Sequence, residues 1–79
     1  METKPKRIAR TKVNDYTINT CLFNDRYETA IKLEDHDYIV VQTYDSLAHA
    51  EIGHKHWSRF CETNPIYVTD AVDGKQKLF

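Results

Sequence analysis

The stretch SLAHAEIGHKHWSRFC, residues 46–61, decides the fold class of this chain. With 100° of rotation per residue its apolar side chains fall on one stripe, so the pattern predicts an amphipathic helix from Leu47 to Cys61. Ser46 is a good N-cap for this helix. Gly53 costs up to about 1 kcal/mol relative to alanine, so we expect it to mark a close approach of the helix backbone to a strand. The stripe comprises Leu47, Ala50, Gly53, His54, Trp57, Phe60 and Cys61.

The segments on either side of the helix are rich in β-branched and aromatic residues that alternate with polar ones, as in strands. Asn24-Asp25 favours a tight turn without glycine, because both residue types tolerate left-handed backbone. Asn64-Pro65 ends the helix. The predicted strands cover residues 16–23, 26–33, 38–44 and 66–69. The sequence therefore predicts an α+β fold: a three-stranded antiparallel meander, one amphipathic helix packed on one face, and a short C-terminal strand (β-β-β-α-β).

The third predicted strand is apolar on both faces. Alternation places Ile39 and Val41 on one face. On the other face it places Tyr38, Val40 and Tyr44. A strand with two apolar faces fits either a covered second face or contact with another subunit.

Charge divides the chain into two parts. Residues 1–12 contain five Lys and Arg against one Glu, whereas residues 13–79 contain six Lys and Arg against eleven Asp and Glu. Of all 79 residues, 41% are hydrophobic and 29% are charged, as in an ordinary globular domain. We therefore predict a basic flexible arm over residues 1–12 and a single small α+β domain over residues 13–79.

Several classes of protein are excluded by what the sequence lacks. The longest apolar run, residues 38–41, is far shorter than the roughly 20 residues that cross a bilayer, and the N-terminus is polar rather than signal-like. We therefore expect a cytoplasmic protein without membrane contact. Cys21 and Cys61 are forty positions apart, which favours reduced thiols over a disulfide or a zinc-binding cysteine pair.

The histidines do not have the spacing of a metal site. His54 and His56 point about 160° apart on a helix, and His49 and His56 are separated by about 10 Å along its axis. His54 lies at the edge of the apolar stripe, where a buried, hydrogen-bonded structural role is expected. The chain carries no recognisable catalytic or cofactor-binding motif, so we predict no catalytic residue, no metal, no cofactor and no enzyme activity.

Two surfaces are candidates for binding. Ile52 lies on the outward face of the predicted helix, and together with the two-sided third strand it suggests a surface for a protein partner or a second copy. The predicted protein-binding residues are Ile52, His49, His56, Tyr38, Val40 and Phe79. The alternative is nucleic-acid binding by the basic arm, through Lys4, Lys6, Arg7, Arg10 and Lys12. A third possibility is an oligomer that sequesters a small ligand between its subunits.

The segment Asn19-Thr20-Cys21-Leu22-Phe23, with Tyr44-Asp45-Ser46 and the helix positions Ala50, Gly53-His54 and Trp57, resembles a motif of small bacteriophage proteins. In that loose group a strand similar to Glu-Thr-Met-Val-Phe precedes a helix with Ala-x-x-Gly-His-x-x-Trp or Met. Leu47-Ala48-His49 stand here where the group has an acidic first turn.

The resemblance implies a viral origin and brings no shared activity. It implies that Gly53 and His54 pack or orient the helix. We therefore expect a non-catalytic, phage-encoded accessory protein that acts in the host bacterial cytoplasm by binding a host or phage protein. It would inhibit a host enzyme or an anti-phage defence system, or join an assembly, and it could form a homodimer or higher oligomer.

Overall fold

Four strands form one antiparallel sheet in the order β1-β2-β3-β4 in the computed structural model, which describes residues 5–79. The strands are Lys6–Val13 (β1), Tyr16–Phe23 (β2), Arg26–Leu33 (β3) and Ile39–Tyr44 (β4). The helix α1, Leu47–Cys61, follows, and Tyr67–Thr69 (β5) pairs with Gln76–Leu78 (β6) in a separate two-stranded sheet. The α+β class is confirmed, with four strands in the meander instead of three.

Strand β1 is the main difference from the sequence prediction. Residues 6–12 belong to the sheet instead of a flexible arm, and their pairing with β2 extends from Lys6 opposite Leu22 to Val13 opposite Tyr16. From Ala9 to Val13, small or β-branched residues that face the helix alternate with charged ones, and this alternation is sufficient for a half-buried strand. Lys4, also assigned to the arm, lies outside the described residues.

The turn between β2 and β3 forms as predicted. Asn24 and Asp25 have φ angles of 50° and 63°, so both central residues adopt the left-handed backbone that tight hairpins require. The eight residue pairs of β2 and β3 continue without interruption from Phe23 opposite Arg26 to Tyr16 opposite Leu33. This hairpin is the most regular part of the sheet.

Strand β4 contains a bulge that reverses its alternation. Its register against β3 shifts between Thr29 and Ala30, which leaves Val41 as the extra residue. Ile39 and Tyr44 therefore lie on the same face of the sheet, and Val40 lies on the other. The predicted placement of Tyr44 on the face of Val40 is wrong, because one inserted residue exchanges the faces of all that follow.

Helix α1 begins at the predicted N-cap. The Ser46 hydroxyl accepts a hydrogen bond from the backbone N–H of His49. Trp57 packs against the core, and its Nε1 donates to Gln42 Oε1 on β4 at 2.8 Å. Leu47, predicted to lie in the buried stripe, is exposed in the first turn. No helix among residues 5–79 is long and apolar enough to cross a bilayer.

Gly53 marks a close approach, as the sequence predicts. A Cβ atom at this position would overlap the hydroxyl and ring of Tyr44. The neighbour is therefore a strand side chain rather than a strand backbone. Glycine is needed here for space, since helical backbone is open to any residue.

The apolar core lies between the sheet and α1. Its most buried members are Ile18, Ile31 and Cys61, each with no exposed surface. The C-terminal sheet closes one end of this core: Val68 joins it, and the ring of Phe79 meets that of Tyr16 edge to face. Each core aliphatic side chain stabilises the fold by about 1.5–3 kcal/mol relative to exposure.

A chain of side-chain hydrogen bonds connects all four strands to the helix. His54 on α1 contacts Thr11 on β1 through Nε2 at 2.9 Å and Thr20 on β2 through Nδ1 at 2.7 Å. The Thr20 hydroxyl contacts that of Thr29 on β3 at 2.7 Å, which contacts the Tyr44 hydroxyl on β4 at 3.0 Å. We call these five residues the hydroxyl–imidazole chain. The expected buried, hydrogen-bonded role of His54 is confirmed, since only 6% of its surface is exposed.

Candidate functional site

The sheet has one face against α1 and one that the helix does not cover, which we call the open face. Because paired residues on neighbouring strands point to the same side, the register determines which side chains lie there. Among residues 5–79, five basic residues and one acidic residue of the paired strands share this face. Arg7, Arg10 and Lys12 lie on β1, and we call them the β1 row. Arg26 and Lys32 lie on β3, and we call them the β3 row. The acidic residue is Glu28, between Arg26 and Lys32 on β3.

A bulge in β1 brings the three residues of the β1 row onto one face. Arg7 pairs with Cys21 and Arg10 pairs with Asn19, while Ile8 is the extra residue between them. Without this bulge, residues three positions apart would point to opposite faces of the strand. The bulge therefore aligns Arg7 with Arg10 and Lys12 along the outer edge of the open face.

The charges of the open face are not neutralised within the described part of the chain. Two salt bridges are present in the described part of the chain, residues 5–79. Lys77 makes both of them, with Asp70 at 3.0 Å and with Asp73 at 2.9 Å. The side chains of Arg7, Arg10, Lys12 and Arg26 are exposed, and Lys32 is half-buried. The face thus carries about four net positive charges that are free to attract an anion, although the whole chain has a formal net charge of −1.

Between the two basic rows, β2 presents short side chains. Thr17, Asn19 and Cys21 lie between the two rows on the open face, and we call them the central track. Thr17 is buried between its neighbours, whereas Asn19 and Cys21 are half-buried. Burial is the main cause that raises the pKa of the Cys21 thiol, and the nearby Arg7 charge opposes it. The thiol is therefore neutral at physiological pH. Phe23 ends the track, with 38% of its surface exposed.

The structure separates the residues of the predicted nucleic-acid-binding arm. Arg7, Arg10 and Lys12 lie together on the open face, whereas Lys6 pairs with Leu22 and points to the other side of the sheet. Lys4 lies beyond the described residues. Arg26 and Lys32 also belong to this site and were not among the residues predicted from the sequence. The available signal was the alternation of the second predicted strand, which places both on the face away from the core.

Three predicted protein-binding residues line one groove beside α1. Ile52, His49 and His56 border a cavity of about 700 Å³ between the helix and the end of β4. Ile52 is 67% exposed, and the His49 Nδ1 contacts the Ser46 hydroxyl at 3.0 Å. The groove can accept an apolar side chain against Ile52 and polar groups at its two histidines.

The other three predicted protein-binding residues lie elsewhere. Tyr38 and Phe79 border a second cleft of about 580 Å³, and Val40 lies on the open face. The backbone carbonyl of Val40 accepts from the Ala71 N–H at 2.7 Å, which ties the C-terminal segment to β4. Phe79 packs on Tyr16, so its ring belongs partly to the core. The six residues therefore do not form one surface.

The buried titratable groups are held in their neutral forms. Burial lowers the pKa of His54 from its ordinary value of 6.5 and raises the pKa of the Cys61 thiol to about 11. Both ring nitrogens of His54 are occupied by threonine hydroxyls. Across residues 5–79, no group of three His, Cys, Asp or Glu side chains is placed to hold a metal ion.

No protein-family model matches this chain, and neither a curated protein nor a solved structure matches it. The resemblance to bacteriophage proteins rests on the motif residues alone. Two of these, Gly53 and His54, position α1 in the structure: Gly53 lies against Tyr44, and His54 bonds to two strands.

Proposed function

We propose that this protein binds nucleic acid through the phosphate backbone, on the open face of its sheet. The observation that carries the proposal is the gathering of the β1 and β3 rows on one uncovered face, without salt-bridge partners among the described residues. Within the described part of the chain, acidic residues lie mostly elsewhere, and Glu28 is the one acidic residue that the paired strands place on this face. Separation of this kind produces an attractive field on one side of a nearly neutral protein.

Arginine and lysine suit phosphate for different reasons. The guanidinium groups of Arg7, Arg10 and Arg26 can each donate two parallel hydrogen bonds to phosphate oxygens, while Lys12 and Lys32 act as compact charges. Binding of this type releases counterions, so its strength falls as salt rises. It is largely independent of sequence, because no base edge needs to be read.

The experiment is a salt titration of oligonucleotide affinity by fluorescence anisotropy. If all five cations contact phosphates of a single strand, log K falls against log salt with a slope of about −3.5, equivalent to roughly 100-fold between 50 and 200 mM. In the triple variant Arg7→Gln, Arg10→Gln, Lys12→Gln, the slope should decrease in magnitude by about 2.

A matched control removes the same charge from another surface. Lys55→Gln, Arg59→Gln and Lys75→Gln alter three exposed side chains on α1 and the C-terminal turn. This variant should bind with the slope of the wild type. An equal loss in both triple variants, with both folded by circular dichroism, would show that only net charge matters and would contradict a site on the open face.

The second candidate function is protein binding through the groove at Ile52, and its specific support is that Ile52, His49 and His56 converge there. In this candidate the chain is a phage-encoded accessory protein of the host cytoplasm, and its partner is a host or phage protein that inserts an apolar side chain. Photo-crosslinking from position 52 in infected cells tests it, with position 72, also exposed, as the control site. Crosslinks of equal yield from both positions would contradict it.

An oligomer that sequesters a small ligand is the third candidate class. It requires a second copy of the chain, so sedimentation of the purified protein addresses it directly. A monomer at micromolar concentration would remove it.

A further inference from the structure

We infer that the nucleic acid is single-stranded, lies along the central track, and stacks one base on Phe23. This inference rests on the proposed function and specifies its ligand. Three features of the molecule favour a single strand: the width between the basic rows, the position of α1 on the opposite face of the sheet, and the exposed aromatic residue at the end of the track.

The width of the track suits one strand. The β1 and β3 rows lie on strands two spacings apart, or about 10 Å. A single sugar–phosphate backbone fits between them and can be contacted from both sides. A double helix does not fit between the two rows, because it is wider than its major groove, which already spans about 12 Å.

Among residues 5–79, the open face carries no helix that could enter the groove of a duplex. Proteins that read double-stranded DNA commonly place a helix in the major groove. Here α1 is packed on the opposite side of the sheet, where His54 and Trp57 hold it against the strands. The basic side of the protein is a sheet surface with short side chains at its centre.

Phe23 provides a stacking surface at one end of the track. The residue is 38% exposed, and its cross-strand neighbour is Arg26, whose guanidinium can reach the phosphate beside a stacked base. At the other end the Lys32 ammonium lies 5.2 Å from the centre of the Tyr38 ring, which is 42% exposed. Aromatic and arginine side chains are the groups on which unpaired bases stack.

The β1 row sets the length of the contact. Arg7, Arg10 and Lys12 pair with alternate residues of β2, so they are spaced by about 7 Å and together span about 14 Å. Only a short segment of a strand is held, and oligonucleotides of twelve residues are long enough to occupy the site.

The test compares four ligands at 50 mM salt: single-stranded dT12 and rU12, and duplex DNA and duplex RNA of twelve base pairs. We expect at least one single strand to bind tenfold or more tightly than either duplex. Preference for rU12 identifies RNA as the ligand, and preference for dT12 identifies DNA. Phe23→Ala should weaken single-strand binding by roughly 5- to 100-fold while the salt slope stays unchanged, because stacking involves no counterions.

Two variants separate stacking from folding effects. Phe23→Trp should restore single-strand affinity to within about threefold of the wild type, since it supplies a larger ring at the same place. Tyr67→Ala removes an exposed aromatic ring from β5 and should have no effect. Equal or tighter binding of a duplex, or a change of less than twofold in Phe23→Ala, overturns the single-strand inference and leaves phosphate binding intact. Absence of binding to all four ligands overturns both proposals.

Discussion

At the level of single residues, Gly53 is the point where α1 and β4 constrain each other. Replacement by alanine should gain up to about 1 kcal/mol of helix propensity and lose about 1–3 kcal/mol through overlap with Tyr44. We expect a net loss of about 1–2 kcal/mol, which lowers the melting temperature by roughly 5–15 °C. The difference in melting temperature between the wild type and Gly53→Ala, measured by thermal unfolding, tests this prediction.

A mutant cycle identifies the cause. In a Tyr44→Leu background the same alanine should cost less, because the ring that it meets is gone. Ala48→Gly, on the exposed side of α1, reports helix propensity alone. A Gly53→Ala protein that is more stable than the wild type would show that Tyr44 moves aside without cost.

His54 should make stability depend on pH. Because burial lowers its pKa in the folded state, the unfolded chain takes up a proton near pH 6.5 that the folded protein resists. The stabilisation is therefore complete above the unfolded pKa and is lost as pH falls from about 6.5 toward the folded pKa. The slope from this single group is at most about 1.4 kcal/mol per pH unit.

Two measurements check this prediction. Denaturant unfolding between pH 7.5 and 5 gives the slope, and imidazole NMR signals give the pKa of His54 itself. Titration of the His54 ring at or above 6.5 would contradict the structure, since the ring contacts only threonine hydroxyls through its two nitrogens.

At the residue level, sequence reasoning found what depends on local pattern. The buried role of His54 and the special role of Gly53 follow from their positions on one helical stripe. The partners of these residues do not, because Thr11, Thr20 and Tyr44 are brought to them by strand pairing. The basic site was predicted only in part for the same reason. Arg26 and Lys32 share a face with the β1 row because of the register of β1, β2 and β3, which the sequence does not show.

At the level of elements, β2, β3 and α1 have the bounds that the sequence predicts. Each is delimited by a strong local signal: the Asn24-Asp25 turn for the two strands and the Ser46 cap for the helix. Strand β1 was not predicted, because five basic residues within residues 1–12 give this segment the composition of a solvated tail. The bulges in β1 and β4 cannot be recognised from the alternation of residues in the sequence. Which side chains of these two strands lie on which face of the sheet could therefore be determined only from the structure.

The place of β1 in the sheet predicts the outcome of a truncation. Removal of residues 1–13 deletes the strand that pairs with β2 and exposes Ile18, which has no exposed surface in the intact sheet. A domain of this size has only about 3–5 kcal/mol of net stability, so we expect the cooperative unfolding transition to disappear. Urea titration followed by circular dichroism shows whether the truncated protein still has a cooperative unfolding transition.

A shorter truncation is the control for this experiment. Deletion of residues 1–4 keeps every pair that β1 forms, because these begin at Lys6. A truncation after residue 13 that unfolds with the midpoint of the full chain would show that residues 6–13 act as an independent arm.

At the level of the whole molecule, charge is arranged by face rather than by segment. The formal net charge is −1, yet the open face alone carries about four positive charges in excess. We therefore expect the protein to be retained on a cation exchanger at pH 7 and low salt, contrary to its net charge. The triple variant at Arg7, Arg10 and Lys12 should pass through the column.

The control triple variant at Lys55, Arg59 and Lys75 has the same formal charge and should still be retained. Elution of the wild type in the flow-through at low salt would contradict the proposed concentration of charge. This property could not be derived from composition, since the acidic residues that balance the basic ones lie in other parts of the fold.

The charges of β1 have a consequence for solubility as well as for recognition. Within residues 5–79, β1 is paired on one side only, so its other side is a backbone edge eight residues long, the kind of edge along which proteins polymerise into fibrils. Two copies approaching along this edge would bring guanidinium and ammonium groups against one another, and the bulge at Ile8 interrupts the straight ladder that lateral growth needs. We therefore expect the same side chains to oppose association of the free protein along this edge.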